Sequence, residues 1–328
     1  MAASCRTTIA LLRSRPPEPA ARHLELSLIV DIETHPLRFA RIASANPQMS
    51  LTKHYTWCEQ SADLLVAEMD YAGVDKAFLI SYDAEDISWG SRQKGFDIED
   101  FGGGRKYSLG GFRKHPERFW WFNTLKDPKR HDTVKLAQRD FDEGASGLKL
   151  FAAYVQADLT APEWMSVFRL AIEQDKRLLI SFQTLRPPAS FTLAEYLEQL
   201  DRLLATLPDL KVILMQAGCA DPLTPAWDAV HRLADRHPAL IMGCGFVGEV
   251  WDDETEYPFP NYLRRIERLA GAVGCDRMSW GTDWPWFEDK FKYRQGVDAI
   301  RRHAHFLSSK QKADFLGDTA ARFMGIDV

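Results

Sequence analysis

The feature that most constrains this chain is an apolar run at residues 26–36 that ends abruptly in acids and a histidine. It reads LSLIVDIETHP, and such a run is typical of a strand covered on both faces, as in a parallel α/β sheet. Glu33 and His35 are two residues apart, so on an extended backbone their side chains point to the same face, roughly 6 to 7 Å apart. The same alternation predicts Asp31 on that face, one step deeper. Glu33 and His35 could therefore share one metal ion or one substrate.

Strand-like and helix-like segments alternate along the rest of the chain. Eight such alternations follow one another without a change of composition between them. Because an α/β barrel of about 250 residues forms one domain, residues 26–328 are predicted to form a single (β/α)8 TIM barrel behind a flexible leader at 1–25. An open doubly wound sheet is the main rival, but no GxGxxG motif follows the first strand. The glycine-rich stretch 82–114 shows little periodicity and is predicted to be a long binding loop.

The composition of the chain argues against nucleic acids and membranes as binding partners. The net charge is −5, and lysines and arginines do not cluster with interleaved aromatics, which argues against a nucleic-acid surface. No apolar run approaches the roughly 20 residues that cross a bilayer. The five cysteines lack CxxC spacing, as is typical of a reducing cytosol. We therefore expect a cytoplasmic protein with a small-molecule substrate, while the arginines of residues 1–22 leave organellar targeting as an alternative.

Six short motifs at predicted strand ends and turns occur in a recognisable order. They read VDIETHP at 30–36, MDYAGVDKA at 69–77, HPERF at 115–119, GLK at 147–149, PDLKV at 208–212 and WGTDWP at 280–285. This order resembles the amidohydrolase-2 branch of the amidohydrolase superfamily, which includes aminocarboxymuconate semialdehyde decarboxylase, resorcylate decarboxylase and several ring-cleavage-product hydrolases. The resemblance covers nearly all of residues 26–328 and implies a TIM barrel whose active groups lie at the carboxyl ends of the strands.

The chain departs from the family pattern after three of its strands. The His-x-His pair that usually follows strand one begins here with Glu33, a version that occurs among the family's decarboxylases. Ser181 and Gln183 stand where a metal-binding histidine normally ends strand five. Gln216 stands in place of the acid/base histidine after strand six. The acid after strand eight, Asp283, is in its usual position.

The resemblance implies a divalent metal site on Glu33, His35 and Asp283. Carboxylate and imidazole ligands suit Zn or Mn, and without a histidine after strand five the ion would be held more loosely than in a complete family site. Two alternatives remain open from the sequence. In the first, Glu33 pairs with Lys149 beside a neutral His35. In the second, the site is catalytic without a metal.

The resemblance also implies roles for individual side chains. Asp283 would act as general base, because buried carboxylates beside other acids have raised pKa values suited to that role. Lys149 could anchor a substrate carboxylate or form a structural ion pair, and Gln216 could hydrogen-bond a substrate oxygen without transferring a proton. The predicted catalytic residues are Asp283, His35, Lys149 and Gln216. The residues predicted to bind substrate are His54, Tyr55, Trp57, Ser181, Gln183 and Trp284.

These features predict a hydrolase in which an activated water attacks a carbonyl of a small carboxylated or cyclic substrate. The bond broken would be an amide, a lactone or a C–C bond. The second hypothesis is a metal-dependent nonoxidative decarboxylase of an aromatic or muconate-type acid, which Gln216 weakens because it cannot supply the proton. The third is a barrel that has lost catalysis and acts as a binding protein. Relatives of this branch often dimerise, which implies a homodimer.

Overall fold

Eight short parallel strands follow one another around one sheet in chain order. The computed structural model describes residues 28–37, 59–81, 104–182, 191–245, 256–285 and 291–328. The strands are β1 Val30–Thr34, β2 Lys76–Ile80, β3 Phe119–Thr124, β4 Gly147–Phe151, β5 Arg177–Ser181, β6 Lys211–Leu214, β7 Ile241–Cys244 and β8 Met278–Trp280. Each strand pairs in parallel with the next. This order confirms the predicted (β/α)8 barrel.

The sheet closes through the residues that follow β8. Thr34 of β1 forms a parallel bridge with Trp284, and the His35 N–H donates to the Trp284 carbonyl at 2.7 Å. Closure removes the open edges of the sheet. It also brings the first strand, β1, and the segment after the last strand, β8, into direct contact, together with the polar residues that follow these strands.

A helix lies between each pair of consecutive strands. The helices are α1 Ala62–Ala72, α2 Arg105–Lys114, α3 Thr133–Asp142, α4 Pro162–Glu173, α5 Leu193–Thr206, α6 Trp227–Arg236, α7 Pro260–Val273, α8 Tyr293–Asp298, α9 Ser309–Ala313 and α10 Thr319–Phe323. The first of them begins after the N-cap Ser61 and ends at the C-cap Gly73, whose φ of 74° is left-handed, as is usual for a glycine at a helix end. None of the helices in the described ranges combines the length and the apolar character that a bilayer span needs.

The barrel interior is apolar at one end and polar at the other. Val30, Ile32, Phe78 and Phe122 are among the side chains that fill it, and Phe323 of α10 joins them. The Phe323 carbonyl accepts a hydrogen bond from the Arg177 guanidinium at the start of β5, so α10 covers the amino ends of the strands. The carboxyl ends of the strands, where the polar residues lie, are not covered by α10.

The prediction that residues 82–114 form one long loop is wrong for its last part. Arg105–Lys114 is the helix α2, while residues 82–103 lie outside the described ranges, as does the predicted leader at 1–25. The two glycines in α2 hid the helical pattern. Gly111 has a packing role, because a Cβ there would lie 2.6 Å from the Cβ of Ala62 in α1. The glycine lets the two helices approach closely.

This contact predicts opposite effects for two adjacent substitutions in α2. Gly111→Ala is expected to lower the free energy of unfolding by about 1–3 kcal/mol, because its methyl overpacks the contact with α1. Gly110→Ala is the matched control, since nothing lies within 4 Å of a Cβ at that position. It should raise the free energy of unfolding by about 0.5–1 kcal/mol through helix propensity. Urea denaturation of both variants measures the difference, and equal signs would contradict the packing argument.

Candidate active site at the carboxyl ends of the strands

Six of the residues predicted for the site meet at the carboxyl end of the barrel. They come from β1, β4, β5 and the segments that follow β1, β6 and β8, and all are buried. They are Glu33, His35, Lys149, Ser181, Gln216 and Asp283. Because parallel strands end at the same edge of the barrel, residues distant in sequence converge there.

Glu33 is the centre of a buried hydrogen-bond network. Lys149 donates from Nζ to Glu33 Oε1 at 2.9 Å, and the Gln216 amide nitrogen donates to both Glu33 oxygens at 2.7 Å. The Ser181 hydroxyl donates to the Gln216 carbonyl oxygen at 3.0 Å, which fixes the orientation of the amide. The Glu33–Lys149 ion pair that the sequence left as an alternative is therefore present. It compensates a carboxylate that would otherwise be a costly buried charge.

Gln216 reaches Glu33 from an unusual turn. Gln216, Ala217, Gly218 and Cys219 all have positive φ, at 49°, 46°, 72° and 61°. A left-handed backbone costs a residue other than glycine roughly 1–2 kcal/mol, and such strain concentrates at functional sites. From this turn the Gln216 amide bonds to Glu33 in the barrel mouth.

His35 and Asp283 form the second half of the site. His35 Nε2 lies 3.1 Å from Asp283 Oδ1. Burial lowers the pKa of His35 to about 4, with the charge of Glu33 opposing the shift, so the imidazole is neutral at pH 7. Burial, together with the negative charge of Glu33, raises the pKa of Asp283 well above its ordinary value. A carboxyl group with a raised pKa beside a neutral imidazole is suited to accept and return a proton.

Three of these side chains fit a divalent ion by type and spacing. Ligand atoms of Glu33, His35 and Asp283 all lie within 4.8 Å of one another. Carboxylate oxygens and imidazole nitrogens are ligands that Zn²⁺ takes, and His35 Nε2 lies 3.1 Å from Asp283 Oδ1. Glu33 Oε2 accepts one hydrogen bond from Gln216 and keeps lone-pair capacity for an ion. Lys149 and Gln216 would then orient Glu33 from behind, as outer partners of metal ligands do.

Asp31 does not share the face of Glu33 and His35, and the prediction that it does is wrong. The pairing of β1 with β2 slips between Asp31 and Thr34, so a simple alternation fails within the strand. Asp31 bonds instead to Thr282 in the segment after β8. Burial raises the pKa of Asp31 to about 7, against the hydrogen bonds from Thr282 and the Glu33 N–H. Sequence reasoning gave Thr282 no role, although it lies in the WGTDWP motif.

The substrate-binding role of all six predicted residues remains a prediction. His54, Tyr55, Trp57 and Gln183 lie outside the described residues. Trp284 is described and is 2% exposed, and its backbone pairs with β1. Ser181 lies in the site, bonded to Gln216.

The barrel resembles solved structures of similar architecture at low sequence identity. An amidohydrolase from Burkholderia multivorans with bound zinc has a TM-score of 0.65 and 15% identity, with 92% of this chain and 100% of that chain covered. A probable 2-pyrone-4,6-dicarboxylic acid hydrolase from Acinetobacter baumannii with citric acid bound gives 0.62 and 13%, covering 91% and 99%. The 5-carboxyvanillate decarboxylase of Sphingomonas paucimobilis gives 0.60 and 16%, covering 92% and 99%. At these identities the likeness shows the fold.

Sequence comparison identifies the family. No curated protein matches the chain significantly. The family model described as amidohydrolase matches residues 31–326, which is most of the chain and includes every residue of the site. Together with the barrel, this match shows that the chain belongs to the amidohydrolase family, in its amidohydrolase-2 branch.

Proposed function

We propose that the protein is a hydrolase in which Asp283 activates a water that attacks a carbonyl of a small carboxylated or cyclic substrate. The observation that carries this proposal is the buried Asp283 carboxyl, whose raised pKa and position 3.1 Å from the His35 imidazole suit a general base. Family membership supports hydrolysis of a carbonyl compound.

Glu33, His35 and Asp283 are the residues that would hold a divalent ion, Zn²⁺ or Mn²⁺. When bound, such an ion polarises a carbonyl and lowers the pKa of a water molecule. Three protein ligands leave open positions, as in catalytic rather than structural sites. His35 would bind through Nε2 in its neutral form, which its lowered pKa maintains.

The remaining side chains limit how a proton can move. Gln216 has no titrating group, and its amide is held between Ser181 and Glu33. Lys149 is fully buried and bonded to Glu33, so we assign it to charge compensation rather than to anchoring a substrate carboxylate. Asp283 would therefore both take the proton from water and return it to the leaving group. We propose that His54, Tyr55, Trp57 and Gln183 bind the substrate.

Metal binding by this set is a direct prediction. After treatment with a chelator and dialysis, the protein is expected to bind about one Zn²⁺ or Mn²⁺ per chain, measured by isothermal titration calorimetry and by plasma mass spectrometry. His35→Ala and Asp283→Ala should each lose that binding, because each removes one of three ligands. His231→Ala, on the partly exposed side of α6, is the matched control and should bind as the wild type does. Stoichiometric binding that persists in both ligand variants would place the ion elsewhere.

Activity is then sought with candidate substrates, each with its own readout. Ring opening of lactones and of 2-pyrone-4,6-dicarboxylate, followed by absorbance, tests hydrolysis. No turnover with Zn²⁺, with Mn²⁺ or without metal across carboxylated lactones and amides would contradict the proposal. That result would favour the third hypothesis, in which the barrel has lost catalysis and acts as a binding protein.

A nonoxidative decarboxylase is the second candidate, and one observation favours it. Glu33 gives the Glu-x-His version of the family motif, and the raised pKa of Asp283 would let its protonated carboxyl protonate a ring carbon. Release of carbon dioxide from 5-carboxyvanillate and related acids, trapped as carbonate, separates this reaction from hydrolysis.

A further inference from the structure

Asp31 is a buried carboxylate that takes no part in the proposed reaction. It is fully buried, and three hydrogen bonds satisfy it. Oδ1 accepts from the backbone N–H groups of Glu33 and Thr282, both at 3.0 Å. Oδ2 accepts from the Thr282 hydroxyl at 2.6 Å. Burial of a carboxylate is costly unless its oxygens are paired, and here the pairing joins β1 to the segment after β8.

The bonds continue to both neighbours of Asp283. The Thr282 hydroxyl oxygen accepts from the Trp284 N–H at 3.1 Å, and the Trp284 carbonyl accepts from the His35 N–H at 2.7 Å. Asp283 itself has a φ of 56°, a left-handed backbone that persists only where the surroundings impose it. The residues on either side of Asp283 are therefore both held, Thr282 by Asp31 of β1 and Trp284 by His35, the residue after β1.

The two segments approach closely at the same place. A Cβ on Gly281 would lie 3.2 Å from the Cβ of Glu33, which is tighter than most Cβ contacts, so β1 and the end of β8 pack closely there. The position of the segment after β8 is thus set relative to Glu33 by contact as well as by hydrogen bonds.

We propose that Asp31 and Thr282 form a clamp that positions Asp283 against Glu33 and His35, so that the three side chains meet at one point. The Asp31–Thr282 clamp rests on the proposed function in that these three side chains are the working groups. Asp31 and Thr282 are positioning residues, because they act through backbone groups and are not among the three candidate ligands. Loss of such supporting bonds typically weakens metal binding or activity by about 10–100-fold.

Thr282→Val tests the clamp because it removes the hydroxyl and keeps the shape. Thr319→Val is the matched control. Thr319 is equally buried, and its hydroxyl donates at 3.2 Å to the carbonyl of Cys275, which lies just before the amino end of β8. Two readouts apply to the full-length protein. The first is the ¹⁵N NMR resonance of His35 Nε2 without added metal, which reports its contact with Asp283. The second is Zn²⁺ affinity by calorimetry with the metal alone.

The clamp predicts that Thr282→Val shifts the His35 resonance and raises the Zn²⁺ Kd by about tenfold, whereas Thr319→Val changes neither. Thr282→Ser, which keeps the hydroxyl, should restore both. Asp31→Asn removes one acceptor at similar size and should act in the same direction, which keeps the test decisive if Thr282→Val fails to fold. Unchanged readouts in Thr282→Val, or equal changes in Thr319→Val, would overturn the clamp. If the wild type binds no Zn²⁺, the metal part of the proposed function fails, and the His35 resonance alone decides the clamp.

Discussion

Replacement of Lys149 by methionine is expected to lower the free energy of unfolding by about 3–5 kcal/mol, because it leaves the charge of Glu33 buried without its partner. Lys149 is 0% exposed and lies 2.9 Å from Glu33, which is 1% exposed. Gln216 would still donate to Glu33, but a neutral amide does not compensate a charge. Urea denaturation followed by tryptophan fluorescence measures the loss.

A double-mutant cycle separates the ion pair from lost packing. Glu33→Gln removes the charge that Lys149 compensates, so Lys149→Met should cost much less in that background than in the wild type. Lys211→Met is the surface control, since Lys211 pairs with the exposed Asp175 and such pairs contribute about 1 kcal/mol or less. An equal cost of Lys149→Met in both backgrounds would show that the Glu33–Lys149 pair is not the cause.

Asp283→Asn is expected to lower kcat/KM by about 10²–10⁴-fold on any substrate that the wild type turns over, the usual contribution of a positioned general base. Folding should be little affected, because asparagine keeps the size of aspartate and tolerates the left-handed φ of 56° at this position. Steady-state kinetics and a denaturation curve of the same variant make the comparison.

The dependence of kcat/KM on pH is a second test of Asp283 as general base. Asp283 accepts a proton only as carboxylate, and its pKa is raised by burial and by Glu33. Wild-type kcat/KM should therefore fall as the pH drops through that raised pKa, and the residual activity of Asp283→Asn should lack this limb. Asp209→Asn, on an exposed turn, is the control and should match the wild type. Activity of Asp283→Asn within about threefold of the wild type, well short of the usual contribution of a general base, would exclude Asp283 from that role.

Local signals in the sequence mark the ends of several helices. Leu193–Thr206 and Pro260–Val273 are two of them. Thr192 and Glu195 form a capping box before the first, and proline at the first position and Gly274 after the last mark the second. These signals act within a few residues of the chain, so the sequence alone carries them.

The helix α2 was missed for the opposite reason. Its glycines read locally as breakers, but Gly111 is required by Ala62 of α1, nearly fifty residues earlier in the sequence. The slip in β1 that turns Asp31 away from Glu33 has the same origin, since it depends on how β1 pairs with β2. Neither contact has a local pattern that could reveal it.

The sequence by itself determined the barrel, the family and the residues that stand at the carboxyl ends of the strands, because hydrophobic period, caps and motif order are written along the chain. The partners of those residues were decided only by the tertiary structure. Glu33 is bonded to Lys149 and Gln216, and Asp31 to Thr282. These pairs join strands far apart in sequence, and a buried carboxylate takes the donors that barrel closure brings within reach.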